Sequence, residues 1–60
     1  MDSLKIIEHA RQLFEAHGDK AEAEAAQKAS SFEAEGDNDQ AEIWKKIRNA
    51  IHEMRQGHQS

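Results

Sequence analysis

Cysteine, proline and tyrosine are absent from this sequence, and it holds only one tryptophan, two phenylalanines and three glycines. Without cysteine, neither a disulfide framework nor a thiolate metal site can staple the fold, and a reducing compartment is expected. Without proline, no helix is broken by a residue that lacks its amide donor. Long apolar runs are missing as well. Ile6-Ile7 is followed at once by Glu8, His9 and Arg11, which leaves room for neither a membrane span nor a signal-peptide core. A cytoplasmic location with no membrane partner is the expectation.

Charge and helical periodicity are what the chain does have. Charged residues make up 33% and aromatics 5%, a balance that leans toward disorder. The spacing of the apolar residues leans the other way. Sixty residues allow one domain, 1–60. At that size one core barely suffices, so a marginal monomer or stabilisation by self-association is expected.

The same phrase occurs twice. Phe14-Glu15-Ala16-His17-Gly18-Asp19 returns as Phe32-Glu33-Ala34-Glu35-Gly36-Asp37, differing only at His17 and Glu35. Each copy reads as the end of a helix, a glycine stop and an acidic start to the next helix. Three helices result, over about residues 3–17, 20–35 and 40–56, with residues 57–60 frayed. The first has Asp2 or Ser3 as a cap and a stripe of Ile6, Ile7, Ala10, Leu13, Phe14 and His17, with Leu4 at its edge. His17 suits the negative end of that helix's dipole.

The second helix opens with Asp19-Lys20-Ala21-Glu22, an acidic form of the capping box. Ala21, Ala25, Ala29 and Phe32 form its main stripe. Ala23, Ala26, Ser30 and Ala34 form a second stripe, for which helix propensity is a simpler explanation than close packing. Glu24 and Lys28 are ordered as an i,i+4 pair, as are Glu42 and Lys46. The third helix takes Asp37 or Asp39 as its cap, with Asp39-Gln40-Ala41-Glu42 repeating the D-x-x-E pattern, and it carries Ile43, Trp44, Ile47, Ala50, Ile51 and Met54. An all-α three-helix bundle is the expected fold. The alternative is a helical hairpin that forms a homodimer.

From Phe32 to Ala41 the glycine turn resembles that of tetratricopeptide repeats. The two copies are one helix apart rather than a helix pair, so only turn chemistry is shared. Over nearly its whole length the chain is similar to short uncharacterised bacterial helical proteins. The elements that carry this likeness are His17-Gly18-Asp19, the alanines from Ala21 to Ala29, Gly36-Asp37, and the series Ala41, Trp44, Ile47, Ile51. The resemblance implies a helical fold and a bacterial origin and brings no activity with it.

Four groups are candidate sites. Glu33, Glu35, Asp37 and Asp39, with Glu42 beyond them, form an acidic corner, but calcium loops need a longer alternating run of oxygen ligands, so no metal is expected. Lys45, Arg48, His52 and Arg55 form a basic stripe on the third helix, expected opposite the core. Phosphates could track it, but the net charge of −4 and the lack of interleaved aromatics disfavour nucleic acid. From residue 15 to 39 there are eight acids against two lysines, and from 40 to 60 four bases against two acids, so pairing between helices is the simpler use. The histidines show no H-E-x-x-H or i,i+4 spacing, and no serine sits on a nucleophile elbow, so neither enzyme nor cofactor is expected. Finally, Trp44, Ile47, Ile51 and Met54 carry more apolar surface than an alanine-rich neighbour can cover. The expectation is a non-enzymatic protein acting through contact with another protein or with itself. A nucleic-acid-associated regulator is the alternative.

Overall fold

The computed structural model describes residues 3–57. They form an all-α three-helix bundle of α1 (Ser3–His17), α2 (Lys20–Ala34) and α3 (Asn38–Arg55). The cap expected from Asp2 or from the Ser3 side chain, and the fraying expected of residues 58–60, lie outside the described residues. Gly57 is described and ordered: its N–H donates to the Met54 carbonyl at 3.1 Å, so the frayed end does not begin there. The short links make sequential helices antiparallel, which leaves α1 and α3 parallel. α2 and α3 share the most extensive contact; α1 meets α3 less and α2 least.

The twin phrase closes its two helices differently. Gly18 donates to the Phe14 carbonyl at 2.7 Å, a single bond back over one turn with the glycine left-handed at φ +59°. At the second copy Gly36 donates to Glu33 and Asp37 to Phe32, at 3.1 and 2.9 Å, the paired bonds of a Schellman motif. The helix starts beyond the two glycines differ too. Asp19 is already helical (φ −61°, ψ −23°) and its side chain caps nothing, which overturns the capping box expected of Asp19 and Glu22. A cap carboxylate reaches the N2 or N3 amide only from a non-helical backbone. Asp37 has one (φ −91°, ψ 79°), and its Oδ1 accepts from the Gln40 N–H at 3.3 Å. α3 therefore starts two residues earlier than expected, with Asp37 as the cap and Asp39 in the first turn.

The core is small. Ile6, Ala10, Ala21, Ala25, Ala29, Ala41, Ile47 and Ile51 are buried, and Ile47 and Ile51 are the largest side chains enclosed completely. Leu13, Phe14, Ile43, Trp44, Ala50 and Met54 pack against this cluster half-buried. The first alanine stripe of α2 is thus the surface on which α3 sits. Methyl side chains let the two backbones approach closely. In the second stripe Ala23, Ser30 and Ala34 are exposed and Ala26 is half-buried.

α1 departs most from expectation. Of its five large apolar residues only Ile6 is buried; Leu4 is 63% and Ile7 45% exposed. Ile7 lies about 100° round the helix from Ile6, too far to share its burial.

Candidate functional site

Three helices meet along three seams, and each seam is closed by different chemistry. Across the α2–α3 seam, Lys45 Nζ reaches Glu33 Oε2 at 2.5 Å, and Glu22 takes His52 Nδ1 on Oε2 at 3.0 Å and Arg55 Nη1 on Oε1 at 2.6 Å. Arg55 Nε also stands 3.7 Å from Asp19 Oδ1. Three of the four basic-stripe residues are therefore committed to α2. The stripe flanks the core on its α2 side, which corrects the placement opposite the core. Arg48 alone of the four makes no ion pair among the described residues; its Nη2 donates to Asn49 Oδ1 at 3.1 Å. Beneath these charges, Ala23, Ala26, Ala29 and Ser30 floor two adjoining hollows of about 310 and 200 Å³.

The electrostatics arise from these contacts. The hydrogen bond from Arg55, helped by His52, holds the Glu22 carboxyl below its ordinary 4.5, although partial desolvation acts the other way. Glu22 in turn holds Arg55 above its usual value, and the Glu33 hydrogen bond does the same for Lys45. Gln56 Nε2 lies 3.0 Å from His52 Nε2. All of these groups are exposed enough for salt to screen them.

Trp44 of α3 touches both other helices. Trp44 meets the His9 ring edge-on, with centroids 5.3 Å apart, and Lys28 Nζ sits 5.8 Å from the Trp44 ring centroid. His17 Nδ1 pairs with Glu24 Oε1, tying the end of α1 to α2. Lys28 therefore serves Trp44 rather than Glu24, and the expected Glu24–Lys28 and Glu42–Lys46 pairs do not form.

The α1–α3 seam holds the His9–Trp44 ring contact. The flank of α1 that carries Ile7 and Phe14 lies about 80–100° round the helix from Ile6. Ile43, Ala50 and Met54 lie on the side of α3 away from its basic stripe and pack half-buried around the core. No ion pair crosses this seam among the described residues.

The predicted sites are thus redistributed. Ile47 and Ile51 are interior, at 1% and 0% exposure, and cannot form a contact surface; Trp44 and Met54 are half-buried. The apolar surplus lies with α1, which the expectation based on α3 missed. The width of the α1 stripe was the available signal, since Ile6 and Ile7 cannot both face one alanine-lined neighbour. In the acidic corner, Glu33 is spent on Lys45 and Asp37 on its cap, while Glu35 and Asp39 are exposed. No three histidine or acidic side chains among the described residues converge as a metal site. No described helix is long and apolar enough to cross a membrane. Comparison with protein-family models, curated proteins and solved structures finds no match to this chain.

Proposed function

We propose that this chain is a small non-enzymatic protein that acts through protein–protein contact, and that the exposed apolar flank of α1 is the contact surface. One observation carries the proposal: Leu4 and Ile7, about 60° apart on α1, are the large apolar side chains left exposed among the described residues. Apolar surface of this kind on a chain with so much charge is costly to leave in water and marks an interaction site. The non-enzymatic part is supported by the lack of any buried polar or charged side chain among the described residues. Without one there is no water-excluded acid or base of the kind catalysis uses. A cytoplasmic, bacterial setting completes the proposal, on the missing cysteines and on the likeness to short bacterial helical proteins.

The test is affinity capture from the host with the full chain and its Ile7→Glu variant as baits. A partner should be held by the first and lost from the second. Equal capture by both, or a chain that associates with nothing, itself included, refutes the proposal. The alternative, a nucleic-acid-associated regulator, keeps only Arg48 without a carboxylate partner among the stripe residues. A salt titration against generic DNA and RNA tests it, and no binding at low salt removes it.

A further inference from the structure

The ion pairs of the α2–α3 seam bridge its two ends and leave a gap between them. Glu22 joins His52 and Arg55 at one end, and Glu33 joins Lys45 at the other. The two acids stand about 16 Å apart along α2, and His52 and Lys45 about 10 Å apart along α3. The two hollows lie along this gap and share Ala26 and Arg48. We propose that together they bind a small monocarboxylic acid with a short alkyl chain. Arg48 and Ser30 hold the carboxylate in the smaller hollow, and the chain runs over Ala26 toward Ala23 in the larger. This site is separate from the contact surface on α1.

Charge selects the head group. Six charged side chains line the two hollows: Asp19, Glu22 and Glu33 against Lys45, Arg48 and Arg55. All three acids are engaged, two of them by Arg55 and the third by Lys45. Arg48 is what remains. One of its five N–H donors goes to Asn49 Oδ1, and the other four have no acceptor among the described residues. A carboxylate can take two such donors side by side, the pairing for which a guanidinium is shaped.

The smaller hollow is where the balance favours an anion. Lys45 and Arg48 stand there against Glu33 alone, and Ser30 adds a hydroxyl that has no hydrogen-bond partner among the described residues. In the larger hollow Asp19 and Glu22 offset Arg48 and Arg55. A second negative group would meet those two carboxylates, which limits the ligand to one charge and excludes polyanions.

Shape selects the rest. Volumes of about 310 and 200 Å³ lie at the small end of the range for ligand sites. The ion pairs at either end bound the gap, and an extended acid of about six carbons is short enough to lie between them. Alanine at 23 and 26 keeps the floor open, where a longer side chain would fill it. Arg48 and Ser30 are exposed, so a ligand enters without parting the helices.

Titration of the full chain with sodium hexanoate at constant ionic strength tests the proposal, followed by the nuclear magnetic resonance signals of Arg48 Nε–H and the alanine methyl groups. The shifts should saturate with a Kd of about 1–10 mM and centre on Arg48, Ser30, Ala26 and Ala23. Acetate, which has the head without the chain, should bind at least about tenfold more weakly. Arg48→Gln should weaken hexanoate at least about tenfold, the loss expected of a charged hydrogen bond. Ala23→Leu should weaken hexanoate but leave acetate unchanged. Both positions are exposed, so both variants should keep their helical circular dichroism and melting temperature, which separates lost binding from lost folding. Shifts that do not saturate by about 50 mM, or that centre on Leu4 and Ile7, overturn the site. Hexanoate binding indifferent to Arg48→Gln, or hexylamine binding as tightly as hexanoate, overturns the head group. Tighter binding of a blocked glutamate, N-acetylglutamate amide, overturns the free acid and assigns the hollow to the side chain of a protein partner.

Discussion

Ala23 and Ala25 are indistinguishable by residue type, and both lie in the middle of α2, yet replacing each by leucine should have consequences of very different size. Ala25 is fully buried in the cluster that contains Ile6, Ile47 and Ile51, whereas Ala23 is exposed at the rim of the α2–α3 hollow. Leucine at 25 adds three carbons where α3 rests on a methyl surface. Overpacking of this kind costs about 1–3 kcal/mol. Leucine at 23 meets solvent, with a change within about 0.5 kcal/mol. A 60-residue chain unfolds with an entropy of about 0.13 kcal/mol/K, so the first substitution should lower the melting temperature by about 8–24 °C and the second by less than about 4 °C. Thermal unfolding followed at 222 nm reads both, at one fixed protein concentration so that association does not enter the comparison. If Ala25→Leu melts with the natural chain, the alanines are present for helix propensity and α3 does not sit where it is described. If Ala23→Leu falls as far as Ala25→Leu, the second stripe is packed as well, and the hollow is filled by something other than solvent.

Three further outcomes rest on the local geometry. Asp37→Ala should cost about 1 kcal/mol through the lost α3 cap, while Asp19→Ala, which removes no cap, should cost less; urea midpoints of the two variants decide this, and equal losses would restore the capping box at Asp19. Glu22 has a folded-state pKa held below 4.5, so the stability it contributes is fully present above that value and lost as pH falls through the lowered one. The acid limb of the unfolding curve should therefore be shallower in Glu22→Gln, and an unchanged limb refutes the pairing with Arg55. Gly36 sits at φ +83° with nothing within 4 Å of the place a Cβ would take, so Gly36→Ala should cost about 1 kcal/mol from backbone conformation alone, and Gly36→Asn less. Alanine and asparagine with equal melts would show that the turn does not need the left-handed region.

Much of this fold is legible in the chain because much of it is local. The three helices, the stops at Gly18, Gly36 and Gly57, and the stripe of Ala21, Ala25 and Ala29 all depend on residues within one or two turns of each other. Helix periodicity and the tolerance of glycine for positive φ are properties of such short stretches. The candidate site was not legible in the same way. Asp19 and Asp37 stand after the same glycine, yet only one adopts the backbone of a cap, because one link is long enough to leave the helical region and the other is not.

Tertiary structure decided the rest. Glu22 is placed by sequence to cap its own helix, but it reaches Arg55, 33 residues away, because α3 passes on that side of α2. The basic stripe obeys the same logic: spacing put four bases on one flank, and the arrangement of helices turned that flank toward the acids. Ile6 and Ile7 are neighbours of one type, and only the positions of α2 and α3 send the first inside and leave the second at the surface. Which side chains are apolar and how they alternate belongs to the sequence. Which of them lack a covering neighbour depends on where three helices come to rest, and no single helix carries that information.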